Sequence, residues 1–286
     1  MSASMLDTKN RMKTIESTRK ITRAMYMLSS ARMKKASMFV EANRHHFLRV
    51  RSAIKDILLH SETARHPYLE ARPGGRTAYI VISGDKGLCG GYNYNVLSYA
   101  VKKMPPDAHI FTVGYTARDY FRRHNWDIDI EFLNMATNPR LRHASQLSYD
   151  ITSLYDNDQF DEAYLIYTRF ESASVQYPNM IKLLPVNIED YADVQTDHEY
   201  QADMIYHPSV QEVFDTLVPQ YVTGLIFGAM VQSYASENRA RMIAMESSTN
   251  NADEMLQNLT LEYNRARQYA ITQEISELIS GQMAFE

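Results

Sequence analysis

Cysteine is almost missing from this chain. Cys89 stands alone among 286 residues, so no internal disulfide can form and no cysteine cluster can hold a metal. The N-terminus also lacks the apolar stretch of a signal peptide, and together these absences point to the cytoplasm. Long hydrophobic runs are scarce as well. The longest, about Leu217 to Val231, is interrupted by Pro219, Gln220 and Thr223. It falls short of the roughly 18 residues that a membrane span needs, and reads as a buried helix. Nor does one charge dominate: the net charge is −4, with 22% charged and 45% hydrophobic residues, the profile of a globular chain able to build a core.

Glycine and proline are absent from both ends. All nine prolines and nine of the ten glycines fall between Pro67 and Gly228, the exception being Gly281. Residues 1–66 and 229–280 thus escape the two strongest breakers, and the chain divides into helix, compact middle, helix. The expected segments are an N-terminal helix in 1–66, an α/β domain in 67–207 and a C-terminal helix in 208–286.

What the ends do contain is a repeat. From Met242 an apolar seam runs through Met245, Thr249, Ala252, Leu256, Leu259, Tyr263 and Ala266 to Ala270, in alternating steps of three and four. A period of about 3.5 residues keeps one stripe facing a partner only in a left-handed coiled coil. At about 1.5 Å per residue, Ala229 to Ser280 would span about 80 Å, so such a helix is expected to project from any compact domain. The seam mixes Ala and Thr with Leu and Met, so one partner helix covers it without filling it, leaving other faces for further contacts. The polar run Ser247 to Asn251 could break the helix, with Asn251 capping a new one through Glu254. Because the heptad phase does not slip across it, the reading is continuity.

The N-terminal segment is expected to be one helix from about Met5 to His60, with helical spacing at Ile21, Ala24, Met25 and Leu28, and again at Phe47, Val50, Ile54, Ile57 and Leu58. Residues 1–60 hold 13 Lys and Arg against 4 Asp and Glu, whereas residues 209–286 hold 4 against 10. Helices of such opposite charge attract. The basic run is a solvated face or a surface for an acidic protein; nucleic acid is disfavoured because the whole chain is acidic and no aromatics interleave Arg19, Lys20 and Arg23.

The middle alternates strand and helix patterns. Strands are expected at Thr77–Ser83, His109–Val113, Asp127–Phe132, Ala163–Thr168 and Met180–Val186, with helices at Tyr92–Lys103, Thr116–Arg123 and Leu141–Tyr155. The product is a small, mostly parallel Rossmann-like sheet. After the first strand comes a glycine-rich turn, Gly84-Asp85-Lys86-Gly87-Leu88-Cys89-Gly90-Gly91, leading into a helix. That order invites a phosphate, but the spacing fits neither G-x-G-x-x-G nor the P-loop, and Lys86 lies inside the turn. A structural turn is the better reading, with Cys89 a small packed side chain rather than a nucleophile. His45 and His46 are adjacent on a helix and diverge by about 100°, so they cannot share a metal. No catalytic group, cofactor or metal site emerges.

Three blocks resemble a known family. Arg19-Lys20-Ile21-Thr22-Arg23-Ala24-Met25, the turn from Ser83 to Asn93, and Ala235-Ser236-Glu237-Asn238-Arg239-Ala240-Arg241-Met242 look like the gamma subunit of the rotary ATP synthase. The closing blocks Leu261 to Gln268 and Ala270 to Ile275 are similar to the end of that family. Lys86, where the family often has Arg, and Tyr269, where a small residue is common, depart mildly, and about Ala108 to Gln201 carries no matching motif.

The resemblance implies a shaft. The terminal helices would form an antiparallel coiled coil inside a ring of alpha and beta subunits, and the middle domain would sit on a membrane ring of c subunits, with an epsilon subunit bound. Rotation driven by proton flow would take each beta site in turn through its conformations, at the cytoplasmic face of the bacterial inner membrane, with no chemistry or cofactor on this chain. Carried over by motif, Lys20, Arg23 and Met25 would meet beta along the N-terminal helix, and Arg267, Gln268, Thr272 and Glu274 would meet a beta loop. Met25 could instead pack on the partner helix, and Arg267 could pair with an acidic neighbour on its own helix. The c-ring foot would lie near Met204 to Pro208, at Ile205 and Tyr206. Two other classes remain open: a coiled-coil adaptor and a nucleotide-dependent Rossmann-like enzyme.

Overall fold

The computed structural model of the protein describes residues 3–60, 65–171, 175–186 and 207–283. Five strands form a single sheet: β1 (Thr77–Ile82), β2 (His109–Val113), β3 (Ile130–Phe132), β4 (Glu162–Phe170) and β5 (Gln176–Leu184). Their order is β3-β2-β1-β4-β5. The β1–β2, β1–β4 and β2–β3 pairs are parallel and β4–β5 is antiparallel. Central β1 is buried at every position after its first, which is why it reads as an unbroken apolar run rather than an alternation. Edge strand β5 accommodates Pro178, a residue that central strands exclude because it cannot donate to the ladder.

Helices cover both faces. Tyr79 and Val81 of β1, with Ile110 of β2, pack on Val96, Leu97 and Ala100 of α2 (Tyr92–Lys103) and on Ala117 and Phe121 of α3 (Tyr115–Arg123). Their neighbours Ala78, Ile80 and Ile82 point the other way, onto Leu147, Ile151 and Tyr155 of α4 (Leu141–Asp156). That second core also takes Val50, Ile54 and Ile57 of α1 (Ala3–His60) and Phe214, Val222, Ile226 and Met230 of α5 (Val210–Met283). The period-two alternation of β1 thus decides which helix each residue meets.

Helix α5 begins earlier than the breaker-free stretch suggested. It runs through Pro219, Gly224 and Gly228, because burial of Phe214, Val218, Tyr221 and Val222 outweighs the one backbone hydrogen bond that Pro219 cannot donate. Gly224 has a packing role: a Cβ there would lie 2.8 Å from the Phe47 ring, which stacks on Tyr221 at 5.3 Å. One 18-residue window of α5 is apolar enough to cross a membrane, with mean hydropathy 1.2, yet 44% of it is buried inside the chain. Its apolarity serves this core. Across Ser247 to Asn251 the helix is continuous, as the unslipped seam implied.

By its internal contacts the chain divides into two compact units, Met1–Ser30 with Arg241–Glu286, and Ala31–Ala240. The second holds the sheet and its helices. In the first, the early part of α1 pairs with the later part of α5. Arg19 bonds Asp253 at 2.8 Å and Thr22 meets Thr249, hydroxyl to hydroxyl, at 2.7 Å, so rising numbers on one helix meet falling numbers on the other and the pair is antiparallel. All nine seam positions from Met242 to Ala270 are buried or half-buried, while most others from Glu246 on are exposed.

The N-terminal side of this pairing departs from expectation. Ile21, Ala24 and Leu28 are exposed. The residues turned inward are Met5, Thr8, Met12, Ile15, Arg19, Thr22, Tyr26 and Ser29, again in steps of three and four, with Met25 half-buried beside them. Half of this stripe is polar, so a search for apolar spacing selects the wrong face. The structure keeps Thr22 inside because its hydroxyl finds partners: one of the Thr22 and Thr249 hydroxyls donates to the other, and the accepting one donates to a carbonyl of its own helix, Arg19 for Thr22 or Met245 for Thr249.

Candidate interaction surface

The glycine-rich turn lies after β1, at the end of the sheet where a parallel α/β fold binds ligands. Asp85, Asn93 and the Gly84 N–H are committed to structure. The Asp85 carboxylate accepts from the backbone N–H of Tyr115 and Thr137 and from the Thr137 hydroxyl, at 3.2, 3.0 and 2.7 Å. Gly84 N–H donates to the Asn93 side chain at 2.9 Å, and the Asn93 amide donates to the Lys86 carbonyl. A Cβ on Gly84 would come within 3.0 Å of the Glu237 carboxylate, so the turn presses against α5. Cys89 is buried and takes a hydrogen bond from Asn93 at 3.3 Å, packed as expected. Tyr92 is fully inside, and burial beside Glu237 pushes its phenol well above the usual range. No group of three or more His, Cys, Asp or Glu is placed to hold a metal among the described residues.

The seven residues singled out for contact with beta all fall in the unit formed by the early α1 and late α5 segments. Lys20 is exposed and pairs with Glu16 one turn back at 3.0 Å. Arg23 is exposed, and Met25 is half-buried beside the seam, so its side chain serves the helix pair at least in part. Further along α5, Arg267, Gln268, Thr272 and Glu274 are all exposed. Arg267 has no ion-pair partner among the described residues. Thr272 donates to the Gln268 carbonyl at 2.9 Å, an ordinary helix back-bond. Given the Thr22–Thr249 register, Met25 and Arg267 sit about 20 residues apart along the pair, or about 30 Å. They form two separate levels rather than one site. Ile205 and Tyr206 lie outside the described residues.

Sequence reasoning missed an apolar component of the same surface. Ile21, Met27 and Leu28 on α1 are 61%, 58% and 52% exposed, and Ile271, Ile275, Leu278 and Ile279 near the end of α5 are 48%, 51%, 74% and 51% exposed. The second group repeats at helical spacing past Ala270, where the seam ends. Large aliphatic side chains clustered on solvent-facing helix surfaces mark places where another chain packs. The signal lies in the helical spacing of Ile21 and Leu28 and of the aliphatic residues past Ala270.

Comparison with known proteins bears on this surface. A family model described as ATP synthase matches residues 4–285. The chain is similar to the ATP synthase gamma chain of Caldanaerobacter subterraneus subsp. tengcongensis, 39% identical over 95% of this chain and 96% of that one. The gamma chain of Alkaliphilus metalliredigens is 39% identical over the whole of both. A relative from Acetobacterium woodii, 38% identical over 98% of each, is named as sodium ion specific. Among solved structures, a rotor chain of the Euglena gracilis mitochondrial ATP synthase superposes with a TM-score of 0.66 at 18% identity, covering 94% of this chain and 99% of that one. A central-stalk chain from Tetrahymena thermophila gives 0.55 at 21% identity, over 79% and 98%. These two establish likeness of fold.

Proposed function

This chain belongs to the ATP synthase gamma chain family, a central-stalk component of that complex, and from that premise we propose that it works as a non-catalytic shaft turning inside a ring of alpha and beta subunits. The observation that carries the reading is the helix pair. One 3.5-residue stripe on each helix is consumed by the other, while exposed aliphatic groups on the remaining faces, together with Arg23 and Arg267, stay available to surrounding chains. A shaft shifts a catalytic site only by touching its alternative states unequally. A helix pair with basic, apolar and amide-bearing patches at different levels and azimuths has the asymmetry this requires.

In this reading Lys20, Arg23 and Met25 contact beta at one level, and Arg267, Gln268, Thr272 and Glu274 contact a beta loop about 30 Å away. The segments 1–66 and 208–286 supply the shaft and 67–207 the domain that meets the c ring, with Ile205 and Tyr206 at the foot and an epsilon subunit alongside. The complex sits peripherally at the cytoplasmic face of the bacterial inner membrane and is driven by protons. A sodium ion specific relative so similar along its length fits a shaft that transmits torque whichever ion turns the ring.

Reconstitution tests this. The chain is assembled with its alpha and beta partners on a surface, a bead is attached through an engineered cysteine in the Ala31–Ala240 unit, and ATP is added. ATP-dependent unidirectional rotation of the bead is the expected result. Full ATP turnover with a stationary, correctly attached bead would overturn the rotor reading.

A further inference from the structure

We propose that the cleft formed by α1, α4, α5 and the β4–β5 side of the sheet is a binding site for a small, uncharged, mostly apolar molecule. The inference stands apart from the rotor reading, because the cleft lies wholly within the unit Ala31–Ala240 and involves none of the proposed beta-contact residues. Its volume is about 560 Å³, inside the roughly 300–1,000 Å³ typical of small-molecule pockets. The walls are Phe47 and Val50 of α1, Leu141 of α4, Tyr167 of β4 and Ile181 of β5. Phe47 is held by its stack on Tyr221, so this wall is set before any ligand arrives.

The floor is the backbone of α5. At Gly224 the Phe47 ring already fills the space, but a Cβ built on Gly228, one turn on, meets nothing within 4 Å. The helix is bare where it faces the cleft. A glycine inside a helix costs about 0.5–1 kcal/mol relative to alanine, and no packing among the described residues requires it here.

Charge decides the class of occupant. Among the described residues, none that lines the cleft is acidic or basic, so an ionised ligand would leave water without a counter-charge from them, which is strongly unfavourable. Hydrogen-bonding capacity remains: the Ser145 hydroxyl is committed to the Leu141 carbonyl, but Gln220, Thr223 and Gln232 make no hydrogen bond among the described residues. The complementary ligand has an apolar body against the aromatic and aliphatic walls and one neutral polar group toward these amides and this hydroxyl.

The experiment titrates the full-length chain with the neutral fluorophore N-phenyl-1-naphthylamine. Saturable binding at one site per chain is expected, retained in Gly228→Ala and weakened at least tenfold in Gly228→Leu, whose side chain occupies the cleft. Leu141→Asp changes a residue 56% exposed at the cleft, so it leaves the fold intact, and it is expected to weaken binding similarly by placing a charge there. Absence of saturable binding, or unchanged affinity in folded Gly228→Leu and Leu141→Asp, overturns the proposal. Loss of binding when the chain is assembled with its partner subunits also overturns it, since the cleft would then be a seat for a protein chain.

Discussion

His66 shows how one buried side chain makes the protein sensitive to pH. Its Nδ1 accepts the Tyr68 N–H at 3.1 Å, and its ring packs against Tyr68 and Phe214. Burial holds its pKa below the ordinary value, against the opposing pull of Asp215 and Asp156. The unfolded chain therefore binds the proton more readily. Above the unfolded value of about 6.5 both states are neutral and His66 adds no pH dependence; as pH falls below that value toward the depressed folded pKa, stability is lost. Urea unfolding at pH 7.5 and 5.5 should show a loss that is smaller in His66→Gln, which keeps an acceptor but cannot titrate. Next to it the Tyr68 phenol, pushed up to about 12 by burial and its bond to Asp156, stays protonated throughout. Gly114 is a second sensitive residue. It has φ +99°, and a Cβ would lie 2.6 Å from the Ser83 carbonyl oxygen, so Gly114→Ala should cost about 1–3 kcal/mol or more in denaturant unfolding. Arg267 is the opposite case. Exposed and without an ion-pair partner among the described residues, it should change stability by about 0.5 kcal/mol or less when replaced by Ala. The proposed contact with beta nevertheless predicts a large fall in ATP synthesis by membrane vesicles carrying Arg267→Ala; near-normal synthesis would remove Arg267 from that surface.

The pairing of α1 with α5 sets the predictions at the scale of elements. Leu259 is among the more buried side chains of the seam, at 7% exposed, and Leu259→Ala should destabilise the helix pair by about 2 kcal/mol, near the lower end for buried leucine truncations. Its neighbour Leu261, 57% exposed, should tolerate the same change when both are followed by thermal unfolding. The antiparallel register places Met25 opposite the region of Glu246, so spin labels at Met25 and Tyr263 should lie about 25–35 Å apart. Distances beyond about 50 Å at low salt would contradict the register. The Arg19–Asp253 pair is partly exposed and screened over about 10 Å at 0.1 M salt, so added salt should weaken the pairing without abolishing it. The apolar and hydroxyl contacts of the seam do not depend on that attraction.

For the molecule as a whole, the proposal is mechanical. The purified chain should hydrolyse no ATP, and turnover abolished by replacing Lys86 would sink the rotor reading. The polar groups of the glycine-rich turn explain the expectation: Asp85, Asn93 and the Gly84 N–H hold the turn to α3, α2 and the segment around Thr137. A turn so occupied suits a rigid joint more than a phosphate cradle.

Much of this architecture was legible in the residue order. Strand β2 and helix α2 fall where alternation and helical spacing put them, and every position of the α5 seam is buried or half-buried, because a 3.5-residue repeat and a β-branched run have only one regular structure that suits each. Full-length family membership follows from the same order. Other features depended on three-dimensional packing. Pro219 could stay inside a helix only because a core formed around its neighbours, which local propensity cannot report. The inner face of α1 is polar at Thr8, Arg19, Thr22 and Ser29, and hydropathy alone sends such residues outward. Only the partner helix, arriving with Thr249 and Asp253 at matching heights, supplies the hydrogen bonds that let them be covered, and in doing so it turns Ile21 and Leu28 toward solvent.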